Sequence, residues 1–369
     1  MALLKTLELR FRRLLMALLK TSFGSRHQIP SDVDFNKCKV LFLRQDLIGD
    51  ALISTPVFDV LKRTYPGITL DVLMSPKNHF VLQNDSSVRK RWIYAKSPVQ
   101  LWKLRKNVRS EKYDFVVDLL DNPSTTSTLW CLNAGARWRV GLAKENDFCY
   151  DCAAPLLEKA DHHVVERTAN VMTCFNIDPS KADLQIRYFV SAESSQFAEQ
   201  FWQSARLEKE TVVGVNISAG DVVRSWWREN CREFLKEVAH HRPDWKILLM
   251  FKPEDREKAK SLAEKVHQVL LPPATPTFDH LAALVKRLTF LVTPDTSIVQ
   301  LASAFSIPSV VLHLKISALH GHLWEPFRSD AENLVASADN VDMIPWQQVY
   351  AAFKRLVARH NTKFAHKTS

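Results

Sequence analysis

The chain has 369 residues, 46% hydrophobic and 24% charged, which suits a globular protein of two domains. No apolar run approaches the roughly 20 residues that span a bilayer. Charges interrupt the N-terminal apolar segment and no small-residue cleavage site follows it, which argues against a secretory signal. A net charge of +10 draws the protein to polyanions, but no nucleic-acid motif has the required spacing, so nucleic acid is not an expected partner.

Residues 1–37 read as a basic N-terminal extension. Leu3, Leu7, Phe11, Leu14 and Leu18 share one helical face, and Lys5, Arg12, Arg13 and Lys20 lie opposite with Glu8 as the single acid. Such a helix suits an anionic membrane surface, or packing on its own domain or a second subunit. Residues 27–37 read as a polar connector.

From Cys38 the chain alternates short apolar runs with helical spacing. Val40-Leu41-Phe42-Leu43 reads as a buried strand, followed by a loop to Gly49-Asp50 and a helix through Leu52, Val57 and Leu61. Asp50 would stand at the carboxyl end of a strand, where open α/β sheets bind ligands. It serves there either as a helix cap or as a group that orients an acceptor and takes its proton. Further strands are read at 68–74, 92–94, 113–120 and 137–142, and a helix from His162 to about Phe175. Adjacent His162 and His163 point apart on a helix, which disfavours a metal pair. The six cysteines are scattered; Cys149 and Cys152 make half a zinc site at best, and ordinary reduced thiols are expected.

Periodicity fades near 177–192 and then restarts. Strands are read at 212–217, 245–251, 289–293 and 307–312, and helices at 229–240, 254–267, 278–287, 298–305 and 345–360. The domains are therefore expected at 38–185 and 186–345, with 346–369 as a C-terminal helix and basic tail. Strand and helix alternation predicts two parallel sheets covered on both faces. A dinucleotide fold would need G-x-G-x-x-G, which the chain lacks, and there is no Walker motif either. No cofactor and no metal are expected. Ser218-Ala219-Gly220 opens a loop after a strand, with Arg224 just beyond; small residues there offer N–H groups to a phosphate, and Arg224 neutralises one. Pro294-Asp295-Thr296-Ser297 repeats the arrangement, as donor-binding groups or as plain helix caps.

Four stretches in order resemble glycosyltransferase family 9, the lipopolysaccharide heptosyltransferases. They are R-x-D-x-I-G-D-A-L-I-S-T-P at Arg44–Pro56, YDFVVDLLDNPST with the later R-W-R-V-G-L, SAG…R-S-W-W-R-E-N-C-R-E-F, and TPDTSIVQLASAFSIPSVVL. The resemblance implies a GT-B architecture: two Rossmann-like domains facing a central cleft, acceptor in the first and ADP-heptose in the second. It implies inverting transfer of heptose to the inner core of lipopolysaccharide or lipooligosaccharide, at the cytoplasmic face of a bacterial inner membrane. Asp50 matches the family's catalytic base. Arg224 matches its diphosphate-binding lysine, and Asp295 with Thr296 its donor-binding pair; Ser218 belongs to the same donor site. The sequence departs from the pattern where Ser297 replaces glycine and Gln300 replaces histidine. Arg44, Lys77, Arg89 and Lys90, with Arg105 and Lys106, are expected to meet a phosphorylated, lipid-linked core oligosaccharide, and residues near Phe278 and Asp279 to line a base pocket. An unperturbed aspartate, at about 3.9, is a weak base, so its surroundings are expected to raise Asp50. The alternatives are a family 9 enzyme using another nucleotide sugar, such as a hexosamine donor, and a non-catalytic, membrane-associated polyanion-binding protein of the same fold.

Overall fold

The computed structural model describes Lys20, residues 28–95, 97–319 and 324–365. Apart from Lys20, the amphipathic segment expected at 1–26 lies outside the described residues. The chain divides into two compact units, Met1–Leu184 and Gln185–Ser369.

The first unit holds strands β1 (Lys39–Arg44), β2 (Thr69–Met74), β3 (Val88–Ile93), β4 (Phe115–Asp118), β5 (Trp138–Leu142) and β6 (Cys152–Ala154). Its helices are α1 (Ile48–Ile53), α2 (Thr55–Thr64), α3 (Pro98–Ser110), α4 (Thr125–Asn133) and α5 (Val164–Ala169). All strand pairs are parallel, in the order β3-β2-β1-β4-β5-β6. The central strands are continuous apolar runs because helices cover both their faces. The order reverses direction between β1 and β4, so a crevice opens at the carboxyl ends of these two strands.

The second unit repeats the plan with β7 (Val212–Asn216), β8 (Lys246–Met250), β9 (Val269–Leu270), β10 (Phe290–Pro294), β11 (Ser309–His313) and β12 (Ala331–Val335). Its helices are α6 (Ala192–Ser204), α7 (Glu229–His241), α8 (Arg256–Ala263), α9 (Phe278–Val285), α10 (Ser297–Phe305), α11 (Lys315–Leu319) and α12 (Trp346–Ala365). The order β12-β11-β10-β7-β8-β9 is that of the first sheet, and its switch point lies between β7 and β10. Helix α12 packs against α7, β11 and β12, with Phe353 and Leu356 in the core of this unit.

Two expectations change. The stretch 27–37 is more than a connector: Phe35 is buried against Tyr65, Phe115 and Phe175, so it closes the bottom of the first core. The cysteines are not all free thiols. Strand β6 lies beside the 3-10 turn Asn170–Phe175, and Cys152 is disulfide-bonded there to Cys174. This removes Cys152 from any pairing with Cys149, which is buried and free.

Candidate functional site

The loop from β1 to α1 is built around a buried arginine. Arg44, 2% exposed, donates through Nε to Asp50 O (2.9 Å) and Ser54 Oγ (2.7 Å), and through Nη1 to Asp46 Oδ2 (3.0 Å). That corrects its expected role: Arg44 is buried with Nε and Nη1 engaged within its own loop, so it acts by fixing that loop. Asn78 adds to the clamp by donating to Arg44 O (2.9 Å), and Ser75 Oγ donates to Asp46 O (3.2 Å), which joins the β2 loop to the β1 loop. Lys77 sits in that β2 loop and shares the rim with Asp50.

Asp50 lies in the first turn of α1, where its Oδ2 accepts from Leu47 N (3.2 Å). It is thus half of a helix cap, and its second carboxylate oxygen accepts no hydrogen bond among the described residues. Burial raises its pKa above the ordinary 3.8, opposed by Arg44 and the Leu47 N–H and aided by the charge of Asp121. Burial also lifts Asp46, to about 6, against the pull of Arg44.

The facing loop leaves β4 and holds a buried polar cluster. Asp118 accepts from Ser127 Oγ (2.8 Å), Tyr150 OH (2.6 Å) and Lys144 Nζ (3.1 Å) through Oδ2, and from Leu120 N (3.1 Å) through Oδ1. Asp121 is held by Arg167 Nη1 at 2.8 Å. Tyr150 reaches Asp118 because Gly141 leaves room: a Cβ there would stand 2.5 Å from the tyrosine ring. Sequence reasoning passed over Asp46, Asp118, Asp121 and Lys144; the readable signal was only that they follow strands beside Asp50.

Arg89 and Lys90 are not part of this rim. They open β3 at its amino end, the opposite edge of the parallel sheet, about 15 Å along the strand direction. Arg89 pairs there with buried Asp71 and with Glu111 (2.7 Å), and Lys90 pairs with Glu111 (3.2 Å). Arg89 satisfies Asp71 and both cations engage Glu111 at that far end, so their expected contact with an acceptor is withdrawn.

In the second unit, the residues expected at the donor site come to the loops after β7 and β10, the two sides of the switch point. Arg224 is half-exposed, its N donating to Asp221 Oδ1 (3.0 Å) and its Nε lying 3.4 Å from Asp221 Oδ2. Thr296 caps α10, accepting from Ile298 N (3.4 Å), and Ser297 begins that helix. Asp295 is anchored by its N–H to Leu312 O (2.9 Å), with its carboxylate 3.9 Å from Nδ1 of buried His313. Gln300 is 1% exposed, and neither its amide oxygen nor its nitrogen has a hydrogen-bond partner among the described residues. Two side chains are spoken for. Ser218 Oγ donates to Asp255 Oδ2 (2.5 Å) and accepts from Lys252 N (3.0 Å), so its hydroxyl holds the loop, not a ligand. Asp279 accepts from Tyr188 OH (2.9 Å) and from Ser191 N and Oγ (3.1 and 2.6 Å), and Phe278 packs edge-on against Tyr188. Its carboxylate ties α9 to the start of α6, which corrects the base-pocket expectation.

Residues 101–332 match the family model described as glycosyltransferase family 9 (heptosyltransferase). The chain belongs to glycosyltransferase family 9. It is similar to "Lipopolysaccharide heptosyltransferase 3" of Escherichia coli, 23% identical over 305 residues, covering 76% of this chain and 84% of that protein. Among solved structures it is similar to a family 9 glycosyltransferase from Veillonella parvula (TM-score 0.75, 16% identity, 89% of this chain and 99% of that one). It is also similar to E. coli heptosyltransferase WaaC with ADP-2-deoxy-2-fluoro heptose (TM-score 0.69, 17% identity, 86% and 99%). These likenesses agree with the α/β, GT-B fold class expected from the sequence. As a family 9 glycosyltransferase the chain must bring an activated sugar to a nucleophile. The matched span contains the β7 and β10 loops but begins after the Asp50 loop. What the two rims offer chemically is a raised carboxylate on one, and a guanidinium with a capped helix start on the other.

Proposed function

We propose that the chain is a lipopolysaccharide heptosyltransferase, moving heptose from ADP-heptose to a lipid-linked core oligosaccharide at the cytoplasmic face of the inner membrane. The acceptor hydroxyl attacks the anomeric carbon while Asp50 takes its proton; the bond to ADP breaks on the opposite side, and the configuration inverts. Arg224 and the α10 start at Thr296 stabilise the charge left on ADP, and Asp295 accepts hydroxyls of the sugar. Lys77 meets acceptor phosphate. The observation that carries the reading is Asp50: a carboxylate fixed at the switch point of the first sheet, with its pKa lifted by burial so that it can act as a base. The family membership and the heptosyltransferase relatives support the donor.

Gln300 favours a second reading. A buried amide with no partner beside the α10 start stands where the family pattern has histidine, which suits a different nucleotide sugar. A panel of ADP-heptose and UDP-hexosamines, offered with truncated lipooligosaccharides and read by product mass, separates the two. Heptose addition is expected; hexosamine addition alone would replace the donor assignment.

A further inference from the structure

Helix α3 carries an exposed surface that is both apolar and basic. Leu101, Leu104 and Val108 repeat at helical spacing and turn inward, against the cluster of Trp92 and Tyr113. By the same spacing Val99, Trp102, Lys103 and Lys106 fall on the outward side, where all four are exposed; Val99 and Trp102 are each 62% accessible. Residues 98–110 contain four cations and no carboxylate. The next acid, Glu111, is already engaged by Arg89 and Lys90. Lys106 Nζ lies 5.7 Å over the Trp102 ring, so apolar and basic groups form one patch. Tryptophan beside lysine is the composition favoured at a membrane–water interface, where the ring enters the headgroup layer and the cations meet lipid phosphate.

The position of the patch gives it a use. Helix α3 follows the carboxyl end of β3, so its first turns stand on the same rim of the unit as the Asp50 loop. With β2 between β3 and β1, the two lie roughly 10 Å apart across the sheet. Leu47, on the Asp50 loop itself, is 64% exposed.

We infer that the outward face of α3 docks on an anionic phospholipid surface and holds this rim against the bilayer. The benefit to catalysis rests on the lipid-linked acceptor proposed above; the docking itself does not. The test is co-sedimentation of the full chain with phosphatidylglycerol/phosphatidylethanolamine vesicles and with phosphatidylcholine vesicles, without donor or acceptor. Wild type should bind the anionic vesicles and leave the neutral ones. At about fivefold per cation, Lys103→Ala/Lys106→Ala should weaken binding roughly 25-fold. Trp102→Phe should remove part of the fluorescence quenching by brominated anionic lipid. Circular dichroism melting checks that both variants fold as wild type, and transfer to a lipid-free acceptor should be unchanged in Trp102→Phe. Equal vesicle binding by wild type and the double-lysine variant, no preference for anionic lipid, or unchanged quenching in Trp102→Phe would overturn the inference. Because binding is read without sugars, its failure leaves the transferase reading standing, and a failed transfer assay leaves the docking result standing.

Discussion

In the proposed mechanism Asp50 combines two jobs that the sequence presented as alternatives. One carboxylate oxygen caps α1 through Leu47 N, a contact of the kind that contributes about 1 kcal/mol. The other is free to accept a proton. Burial and the charge of Asp121 favour its protonated form, while Arg44 holds back the rise. As pH falls through the raised pKa, Asp50 gains a proton and would no longer serve as the proposed base. The acid limb of kcat/KM is therefore expected above 3.8. In Asp121→Asn, which keeps an acceptor for Arg167, one raising charge is gone and the limb should move to lower pH. A pH–rate profile of both proteins checks this; a limb that stays in place would remove Asp121 from the account. Arg44 was not legible in the same way. Its charge suggested a phosphate contact, and only its burial beside Asp46, Asp50 and Ser54 shows that it is spent on the loop.

At the scale of elements, loops are positioned by what packs beneath them. The β4 loop is held by Asp118, and Asp118 depends on Tyr150 lying flat against β5 at Gly141. A methyl group at 141 would push the ring away, and overpacking of this kind costs about 1–3 kcal/mol. Gly141→Ala is therefore expected to lower the unfolding free energy by that amount in urea denaturation, and to reduce turnover by disturbing Asp121. Unchanged stability would show that the close approach is not needed. The strands of the two sheets were largely legible because buried parallel strands read as continuous apolar runs. Strand β12 was not, because its residues are half-exposed and lack that signature. The ends of strands were harder still: Arg89 and Lys90 looked like rim cations, and the parallel register puts them at the other edge.

At the scale of the whole chain, the same strand order occurs twice, and each sheet presents its expected site loops at its own switch point. The sequence revealed this repeat through the restart of the strand pattern near Val212, and four motifs in order pointed to the family. It did not reveal which side chains the fold consumes internally: Ser218 and Asp279 are engaged by neighbours distant in sequence. The central claim is that Asp50 is the base of a heptosyl transfer. Its most direct test is ADP release from ADP-heptose, with and without truncated lipopolysaccharide acceptors, for wild type and Asp50→Ala. The account predicts acceptor-dependent release in wild type and a loss of about 10²–10⁴-fold in the variant, with folding and donor affinity nearly intact. Transfer retained in Asp50→Ala alongside reduced stability would contradict it and leave Asp50 as a helix cap.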